Sequence, residues 1–260
     1  MAARLPTFHK KEVISAMEPI FQKEFQVTDI CVDRFGRLKP SAMLIYAQEL
    51  AEGQCKELSL GPEDLARRRL FWAVTRHKVQ ITQLPCIGQK LRIETWPMPA
   101  TRVAYPRSMV AYDEQGNECF RSVSLWVIMD LDTRNMILPG KNGISIPGTL
   151  RGGELPSPTG CLMLPRGSSQ VRTVRYTDLD RNGHMNNTRY LEWIDDLLPS
   201  AFHRGRTVKE FTVCYLSEVL EGQSLNLQWD FVDNDTLQVD AHRRSGDKDE
   251  RVFSARLLFD

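Results

Sequence analysis

Hydrophobic and polar residues alternate with two different periods along this chain of 260 residues. In the first part, apolar residues recur every three or four positions, which predicts an amphipathic helix. Its buried stripe consists of Leu44, Ala47, Leu50, Ala51, Cys55 and Leu58. Other stretches alternate with period two, as expected of strands that bury one face. One such face consists of Leu225, Leu227, Trp229 and Phe231. The pattern predicts an α+β unit in which one helix covers an antiparallel sheet.

The same order of elements occurs twice. A strand pair near the middle of each half has equal internal spacing, which aligns Gly88 with Gly222 (88 − 77 = 222 − 211). A glycine turn precedes a helical pattern in both halves, at Gly36 and at Gly183, and Pro199 stops the second of these helices. Each half ends with a hairpin turn and a strand of equal length (130 − 116 = 260 − 246). Equal spacing at several landmarks predicts two diverged copies of one unit.

A segment rich in Gly and Pro separates the two halves. Twelve of the 30 Gly and Pro residues (16 + 14) lie between positions 139 and 167, which is typical of a linker. We therefore predict a first domain at 1–138, a linker at 139–167 and a second domain at 168–260. Two such units placed side by side would join their sheets and protect each other's edge strands.

Composition and charge exclude several classes of function. Hydrophobic residues make up 42% and charged residues 26% of the chain, as expected of a folded core. A net charge of +1 gives no reason to expect nucleic-acid or membrane-surface binding. No window approaches the ~20 apolar residues that span a bilayer. Because residues 1–22 do not resemble an export signal and the six cysteines are dispersed, we expect a cytoplasmic protein without a metal site or cofactor.

A cluster of polar residues distinguishes the turn before the second helix. Asp180, Asn182 and His184 occupy alternate positions there, whereas the corresponding segment 31–40 has only Asp33 as an acid and no His or Asn. Polar groups confined to one copy indicate that the second half carries the chemistry. Asp and Asn before a helix are also ordinary turn and capping residues. We assign that structural role to Asp178, Asn186, Asn187 and Thr188.

A second polar position lies in the strand region of the second half. Glu218 interrupts a strand-like run, and its counterpart in the first half is Leu84 (218 − 84 = 222 − 88). Spacing alone leaves open whether Glu218 is catalytic or simply faces solvent. The remaining histidines have no comparable acidic or amide neighbours. We predict surface or structural roles for His9, His77, His203 and His242.

These segments together resemble the acyl-[acyl carrier protein] thioesterases, including bacterial relatives of the plant FatA and FatB enzymes. The resemblance extends from about Phe25 to the C-terminus. It is carried by residues 48–49, 71–72, 93–97, 126–134, 178–193 and 215–218. It implies a tandem double hot-dog fold of class α+β, with each unit an antiparallel sheet wrapped around one long helix.

The resemblance also implies an activity and a set of site residues. The expected reaction is hydrolysis of the thioester of a fatty acyl chain on acyl carrier protein, which releases the fatty acid. The implied active-site residues are Asp180, Asn182, His184 and Glu218. The plant enzymes have Cys directly after the matching Glu, where this chain has Val219. We therefore expect attack by activated water, with Asp180 or Glu218 as the base. His184 and N–H groups at the helix start would stabilise the oxyanion.

The resemblance places the acyl chain between helix and sheet of the first half, with the carrier protein docked outside. Basic residues near the opening would contact the acidic carrier, and the candidates are Arg67, Arg68, Arg69 and Arg181. A homodimer is compatible with the sequence. Three alternatives stay open: an acyl-CoA thioesterase, a hot-dog hydratase or dehydratase, and an acyl-thioester binding protein without activity.

Overall fold

A computed structural model describes residues 20–164 and 167–260 of the chain. His9, for which we predicted a surface or structural role, therefore lies outside the described residues, as does most of the segment 1–22. The strands are β1 (Phe21–Gln26), β2 (Leu70–Ile81), β3 (Lys90–Pro97), β4 (Tyr105–Tyr112), β5 (Glu118–Asp130), β6 (Met136–Ile137), β7 (Ser168–Thr173), β8 (Val208–Tyr215), β9 (Ser224–Phe231), β10 (Thr236–Ser245) and β11 (Lys248–Phe259). The helices are α1 (Pro40–Glu57), α2 (Pro62–Arg67), α3 (Arg189–Asp195) and α4 (Ser200–Gly205). Among the described residues, no helix is both long and apolar enough to cross a membrane.

All strands join one antiparallel sheet with a repeated topology. The path runs β1-β3-β4-β5-β2 and then continues as β8-β11-β10-β9-β7, while β6 pairs with β5. The second half of this path is the first half in reverse, with each strand replaced by its sequence equivalent. The two halves meet where β2 pairs with β8, with Val79 opposite Phe211. This topology confirms the predicted duplication and the joining of the two sheets at their edges.

Matched turns keep the two copies in register. Gly88 and Gly222, which the sequence aligns, have φ angles of 87° and 79°. A Cβ atom at either position would meet no atom within 4 Å, so the glycine is needed for its backbone conformation rather than for space. Gly88 lies in the turn before β3, and Gly222 lies in the turn before β9. Each of these strands pairs with the edge strand of its own unit, β1 or β7.

The helix of the first unit is long, and five of the six residues of its predicted apolar stripe are buried, whereas Leu58 directly follows the helix and is half-buried. α1 begins with Pro40 at its first position, where the missing N–H costs no hydrogen bond. Leu44, Ala47, Leu50, Ala51 and Cys55 are all buried. The stripe faces the sheet of its own unit, so α1 and the sheet form two layers around a common interior.

The second unit differs from the expected single long helix. The helical pattern there forms the short helices α3 and α4, which are separated by Pro199. Proline has no N–H to donate and clashes with the preceding turn, so it ends the helical run. The ring of Phe202 in α4 packs against Phe231 and Phe259 at centroid distances of 5.5 and 4.9 Å. Aromatic side chains therefore attach α4 to the sheet of the second unit.

The segment between β6 and β7 crosses the outer face of the sheet. Its described residues form no helix or strand. Arg76 of β2 donates a hydrogen bond to the Pro158 carbonyl at 3.2 Å. The Leu164 N–H donates to the buried Asp240 carboxylate at 2.7 Å. These contacts attach the segment to the strands on both sides of the junction.

Candidate active site

The turn at residues 180–184 is fixed by the carboxylate of Asp180. Its Oδ1 atom accepts hydrogen bonds from the N–H groups of Asn182 at 2.8 Å and His184 at 3.1 Å. The Asp180 N–H donates to the His184 carbonyl at 2.7 Å, and Gly183 has a positive φ of 80°. Asn182 Nδ2 lies 3.4 Å from Asp180 Oδ2. One carboxylate therefore orients the backbone that carries both Asn182 and His184.

The segment that contains Glu218 lies directly against this turn. A β-bridge joins His184 to Leu220, and the Met185 N–H donates to the Val219 carbonyl at 2.8 Å. Glu218 Oε2 lies 3.6 Å from His184 Nε2. The side chain of His184 is 23% exposed and that of Glu218 is 46% exposed, so water reaches both. The four predicted residues therefore come together in space.

A fifth residue in the cluster, Arg134, was not identified from the sequence. It belongs to the first unit and lies in the turn after β5, with a positive φ of 56°. Arg134 forms an ion pair with Glu218, and its Nη2 lies 3.4 Å from His184 Nε2. Its guanidinium also stacks 4.6 Å from the ring centroid of Phe71. The first unit thus contributes a cation to a cluster in the second.

The N–H groups that follow His184 are occupied. The Met185 N–H is bound by Val219, and the Asn186 N–H donates to the Asp178 carbonyl at 2.8 Å. Helix α3 begins only at Arg189. The predicted backbone donors at the helix start are therefore not free at these two positions. The side chains of Asn182, Arg134 and His184 provide the cluster with further N–H donors.

Asp178 and Asn186, which we predicted to be structural, accept hydrogen bonds from neighbouring residues. Asp178 accepts hydrogen bonds from the Arg175 N–H at 2.9 Å and from Trp193 Nε1 at 3.2 Å. Asn186 Oδ1 accepts from the Thr188 N–H at 3.0 Å. These bonds join the turn to α3 and leave neither side chain directed at the cluster.

An apolar cavity opens beside the cluster. It has a volume of about 490 Å³ and lies between α1 and the sheet of the first unit. Asp180, Asn182, His184 and Arg134 form part of its lining. Its apolar lining includes Ala51, Leu70, Trp72, Tyr105, Pro106 and Trp126. We call this space the helix–sheet cavity. It belongs to the first unit, whereas the turn at its edge belongs to the second.

The first unit has the same turn with other side chains. Asp33 Oδ1 accepts the N–H groups of Phe35 at 2.8 Å and Arg37 at 3.0 Å, as Asp180 does for Asn182 and His184 (180 − 33 = 184 − 37). A β-bridge joins Arg37 to Cys86, as one joins His184 to Leu220 (220 − 86 = 218 − 84). Leu84 therefore occupies the position of Glu218. The two turns share a backbone and differ in their chemistry.

The other described histidines lie outside the cluster. His77 is buried in β2, and burial lowers its pKa to about 4. A ring nitrogen of His203 lies 2.9 Å from the Asp195 carbonyl, and His242 Nδ1 lies 3.0 Å from an Asp249 carboxylate oxygen. Within the described ranges, no three His, Cys, Asp or Glu side chains are arranged to hold a metal ion.

All four arginines predicted to contact a carrier already have partners within the chain. Arg67 forms an ion pair with Asp64, and Arg69 forms one with Asp132. Arg68 donates to the Asn142 carbonyl at 2.9 Å. Arg181 pairs with Glu52 of α1 at 3.2 Å and also lines the helix–sheet cavity. Arg181 is thus the member of this set that lies at the cavity.

The joined antiparallel sheets, each with helices on one face, define a double hot-dog protein. Residues 18–138 match the acyl-ACP thioesterase N-terminal domain, and residues 166–260 match the acyl-ACP thioesterase C-terminal domain. The chain therefore belongs to the acyl-ACP thioesterase family, as its motifs indicated.

Curated relatives are distant and longer. The chain is 25% identical over 223 residues to the chloroplastic palmitoyl-acyl carrier protein thioesterase of Arabidopsis thaliana. It is 24% identical over 221 residues to the chloroplastic dodecanoyl-[acyl-carrier-protein] hydrolase of Umbellularia californica. Both alignments cover 76% of this chain but only 52% and 56% of the relatives. The chain thus spans about half the length of the curated relatives it matches.

Solved structures establish the fold over nearly the whole chain. The acyl-ACP thioesterase from Bacteroides thetaiotaomicron superposes with a TM-score of 0.79 at 23% identity, covering 93% of this chain and 98% of that one. The 12:0-ACP thioesterase from Umbellularia californica gives 0.78 at 19% identity, covering 95% and 99%. These likenesses confirm the predicted tandem double hot-dog fold.

Proposed function

We propose that this protein hydrolyses the thioester of a fatty acyl chain on acyl carrier protein and releases the free fatty acid. The observation that carries the proposal is the position of the polar cluster at the apolar helix–sheet cavity. A chain bound in the cavity presents its thioester carbonyl to His184, Glu218 and Arg134. The family, and the acyl-carrier-protein substrates named for its relatives, support a carrier-bound substrate.

In this proposal the two domains have separate tasks. The first domain, 1–138, binds the acyl chain between α1 and its sheet. The second domain, 168–260, supplies the turn and Glu218, and the segment 139–167 joins the two. The polar turn lines the helix–sheet cavity of the first unit, whereas the cavity that the second unit borders lies beside Asp33 and Arg37, which supports assigning chain binding to the first.

Glu218 is the better candidate for the base. Asp180 makes the same backbone hydrogen bonds as Asp33, whose turn has neither His nor a matching Glu, so these bonds have a structural purpose. Glu218 replaces an apolar residue of the first unit and is open to water. We assign proton abstraction to Glu218 and the orientation of the turn to Asp180.

The reaction balances with water as the only co-reactant. The water oxygen bonds to the carbonyl carbon while Glu218 accepts a proton. Donors on Asn182 and Arg134 stabilise the developing oxyanion, since charge-assisted hydrogen bonds are strong in a sheltered site. The carbon–sulfur bond then breaks, and the phosphopantetheine thiolate recovers the proton from Glu218. His184 Nε2 lies beside both Glu218 and Arg134 and holds the carboxylate in place.

Release of free thiol from a panel of acyl carrier protein thioesters of different chain length tests the proposal. We expect release from at least one chain length, reduced by about 10²- to 10³-fold in His184→Ala, as for loss of one group that supports the transition state. The matched control is Arg37→Ala, which changes the equivalent position of the first unit and should retain turnover. No release from any carrier-bound chain by the folded protein would contradict the proposed activity.

The same assay separates the alternatives. Equal rates with acyl-CoA and with the carrier-bound acyl chain would identify an acyl-CoA thioesterase. Hydration of an enoyl thioester without thiol release would identify a hydratase. Tight binding of both thioesters without turnover would identify a binding protein. The polar cluster favours hydrolysis over pure binding, because an apolar cavity alone suffices to hold an acyl chain.

A further inference from the structure

A buried cation lies on the sheet side of the helix–sheet cavity. Arg107 is in β4, on the face from which Met109 and Ala111 enter the hydrophobic core. The residue is only 7% exposed, and it lines the helix–sheet cavity. An arginine is unusual in such a position, because buried guanidinium groups are normally paired with a carboxylate.

The hydrogen-bond partners of Arg107 are neutral groups, and none is a carboxylate. Nη1 donates to Gln54 Oε1 at 2.6 Å and to Thr95 Oγ1 at 3.3 Å. Both acceptors are neutral and both bind the same nitrogen, although a guanidinium carries five N–H donors. Among residues 20–164 and 167–260, no Asp or Glu lies within ion-pair distance of Arg107. The side chain also forms a hydrogen bond with the neutral Cys55 thiol.

This arrangement is costly unless a ligand completes it. Burial lowers the pKa of Arg107, and the adjacent Cys55 thiol partly opposes that effect. Guanidinium nevertheless stays protonated in proteins, so a positive charge remains beside the cavity. The carboxylates that line the cavity, Glu52 and Asp180, are bound to other groups: Glu52 pairs with Lys56 and Arg181, and Asp180 accepts backbone N–H groups of its own turn. An oxygen atom brought by the bound molecule would supply the missing acceptor.

The second unit shows that the fold does not need an arginine here. The counterpart of Arg107 in the second unit is Leu237. Arg107 is opposite Pro97 in the pair β3 and β4, and Leu237 is opposite Phe231 in the equivalent pair β9 and β10 (231 − 97 = 134; 237 − 107 = 130). The same offsets align Ile93 and Ala111 with Leu227 and Ala241, which are also opposite each other. Leu237 is completely buried. The cation is therefore found in the unit that forms the helix–sheet cavity and is replaced by an apolar residue in the other unit.

We propose that Arg107 is a specificity-determining residue that binds an oxygen atom on the acyl chain, so that hydroxy-, oxo- or carboxy-substituted chains are hydrolysed in preference to plain chains of equal length. The inference rests on the proposed function and deepens it by naming the substrate class. A plain chain covers the guanidinium with methylene groups and leaves its donors unsatisfied. A substituted chain forms a charge-assisted hydrogen bond there.

The test compares carrier-bound acyl chains of one length: the plain chain, a series with a hydroxyl at successive carbons, and the chain with a terminal carboxylate. We expect kcat/KM for the best oxygen-bearing chain to exceed that for the plain chain by about tenfold or more. Arg107→Leu, which copies the second unit, should abolish this ratio and hydrolyse the plain chain at least as well. Arg107→Lys should retain part of the preference, since it keeps the charge.

Arg92→Leu is the matched control, because Arg92 lies on the opposite face of the same sheet, over the ring of Tyr112. It should leave the ratio unchanged. Equal or lower kcat/KM for every oxygen-bearing chain in the native protein would overturn the inference, as would an unchanged ratio in Arg107→Leu. If no thioester is hydrolysed, the proposed function fails by itself. Displacement of a fluorescent fatty acid by plain and substituted free acids then tests Arg107 separately, with the same ratio and the same variants.

Discussion

The two units have the same topology but different interiors. The first has an 18-residue helix and a cavity of about 490 Å³ beneath it, whereas the second has helices of 7 and 6 residues and an aromatic core. The polar side chains of the candidate site belong to the turn of the second unit. His184 is in that turn, and Arg37 occupies the equivalent position of the first unit. The second unit also borders a cavity, of about 550 Å³, but the turn beside that cavity carries Asp33 and Arg37 instead of Asp180 and His184. The polar turn of the second unit therefore lies at the cavity of the first. A duplicated fold can divide binding and catalysis because both copies keep the backbone while the side chains diverge.

The largest expected effect on turnover comes from giving the second unit the side chain that the first unit has at the equivalent position. Glu218→Leu introduces the residue that the first unit has at Leu84. If Glu218 is the base, kcat should fall by about 10²- to 10⁴-fold, the usual contribution of general base catalysis. Thiol release under saturating substrate measures it.

The reciprocal variant Leu84→Glu serves as the control for that experiment. It places a carboxylate beside Arg37 in a turn without His, so catalysis should not change. Wild-type kcat in a folded Glu218→Leu protein would rule out Glu218 as the base and return that role to Asp180.

A smaller effect is expected where the first unit contributes to the cluster. Arg134→Met removes the cation that pairs with Glu218 and reaches His184. We expect kcat to fall by about tenfold with KM unchanged, because the lost interaction acts in the transition state. Arg134→Lys should recover part of kcat, since it keeps the charge but not the planar fork. A rise in KM alone would instead assign Arg134 to substrate binding.

The smallest effect on activity, but a measurable one on stability, is expected at the junction of the units. His77 in β2 corresponds to the fully buried Phe211 in β8 (211 − 77 = 134). Burial lowers the pKa of His77 from 6.5 to about 4. The unfolded chain binds this proton more tightly, so the free energy of unfolding should fall as the pH decreases from about 6.5 to 4, by about 3 kcal/mol from this residue.

His77→Leu should remove this part of the pH dependence and leave turnover unchanged. Chemical denaturation at several pH values measures it. Asp195 acts in the opposite direction, because burial raises its pKa to about 7 and its contribution to stability is lost as the pH rises from about 4 to 7. The difference between variant and native protein isolates His77. Parallel pH profiles for the two proteins would show that His77 does not titrate in this way.

The sequence predicted the features that depend on local pattern. The apolar stripe of α1, the matched glycine turns and the offset between Leu84 and Glu218 all follow from spacing, and the structure confirms each of them. The approach of Glu218 to His184 followed only from the family resemblance. Contacts across the sheet depend on strand order, which the sequence pattern alone does not specify.

Arg134 and Arg107 show what could not be predicted. Arg134 reaches Glu218 across 84 positions in sequence, through a turn of the other unit. Arg107 breaks the apolar alternation of β4, but no local pattern reveals that it faces a cavity rather than solvent. The break between α3 and α4 could be located at Pro199, yet the second short helix depended on aromatic packing with distant strands.

The division of labour between the units is tested most directly by measuring acyl-chain binding and thiol release together in two variants. Ala51→Phe fills the helix–sheet cavity of the first unit, and His184→Ala removes the ring from the turn of the second. We expect that Ala51→Phe weakens binding of the acyl chain, while His184→Ala binds it normally but releases little thiol. Normal binding of the acyl chain by Ala51→Phe would contradict this division of labour. So would a His184→Ala protein that binds the chain weakly but hydrolyses bound substrate at the native rate.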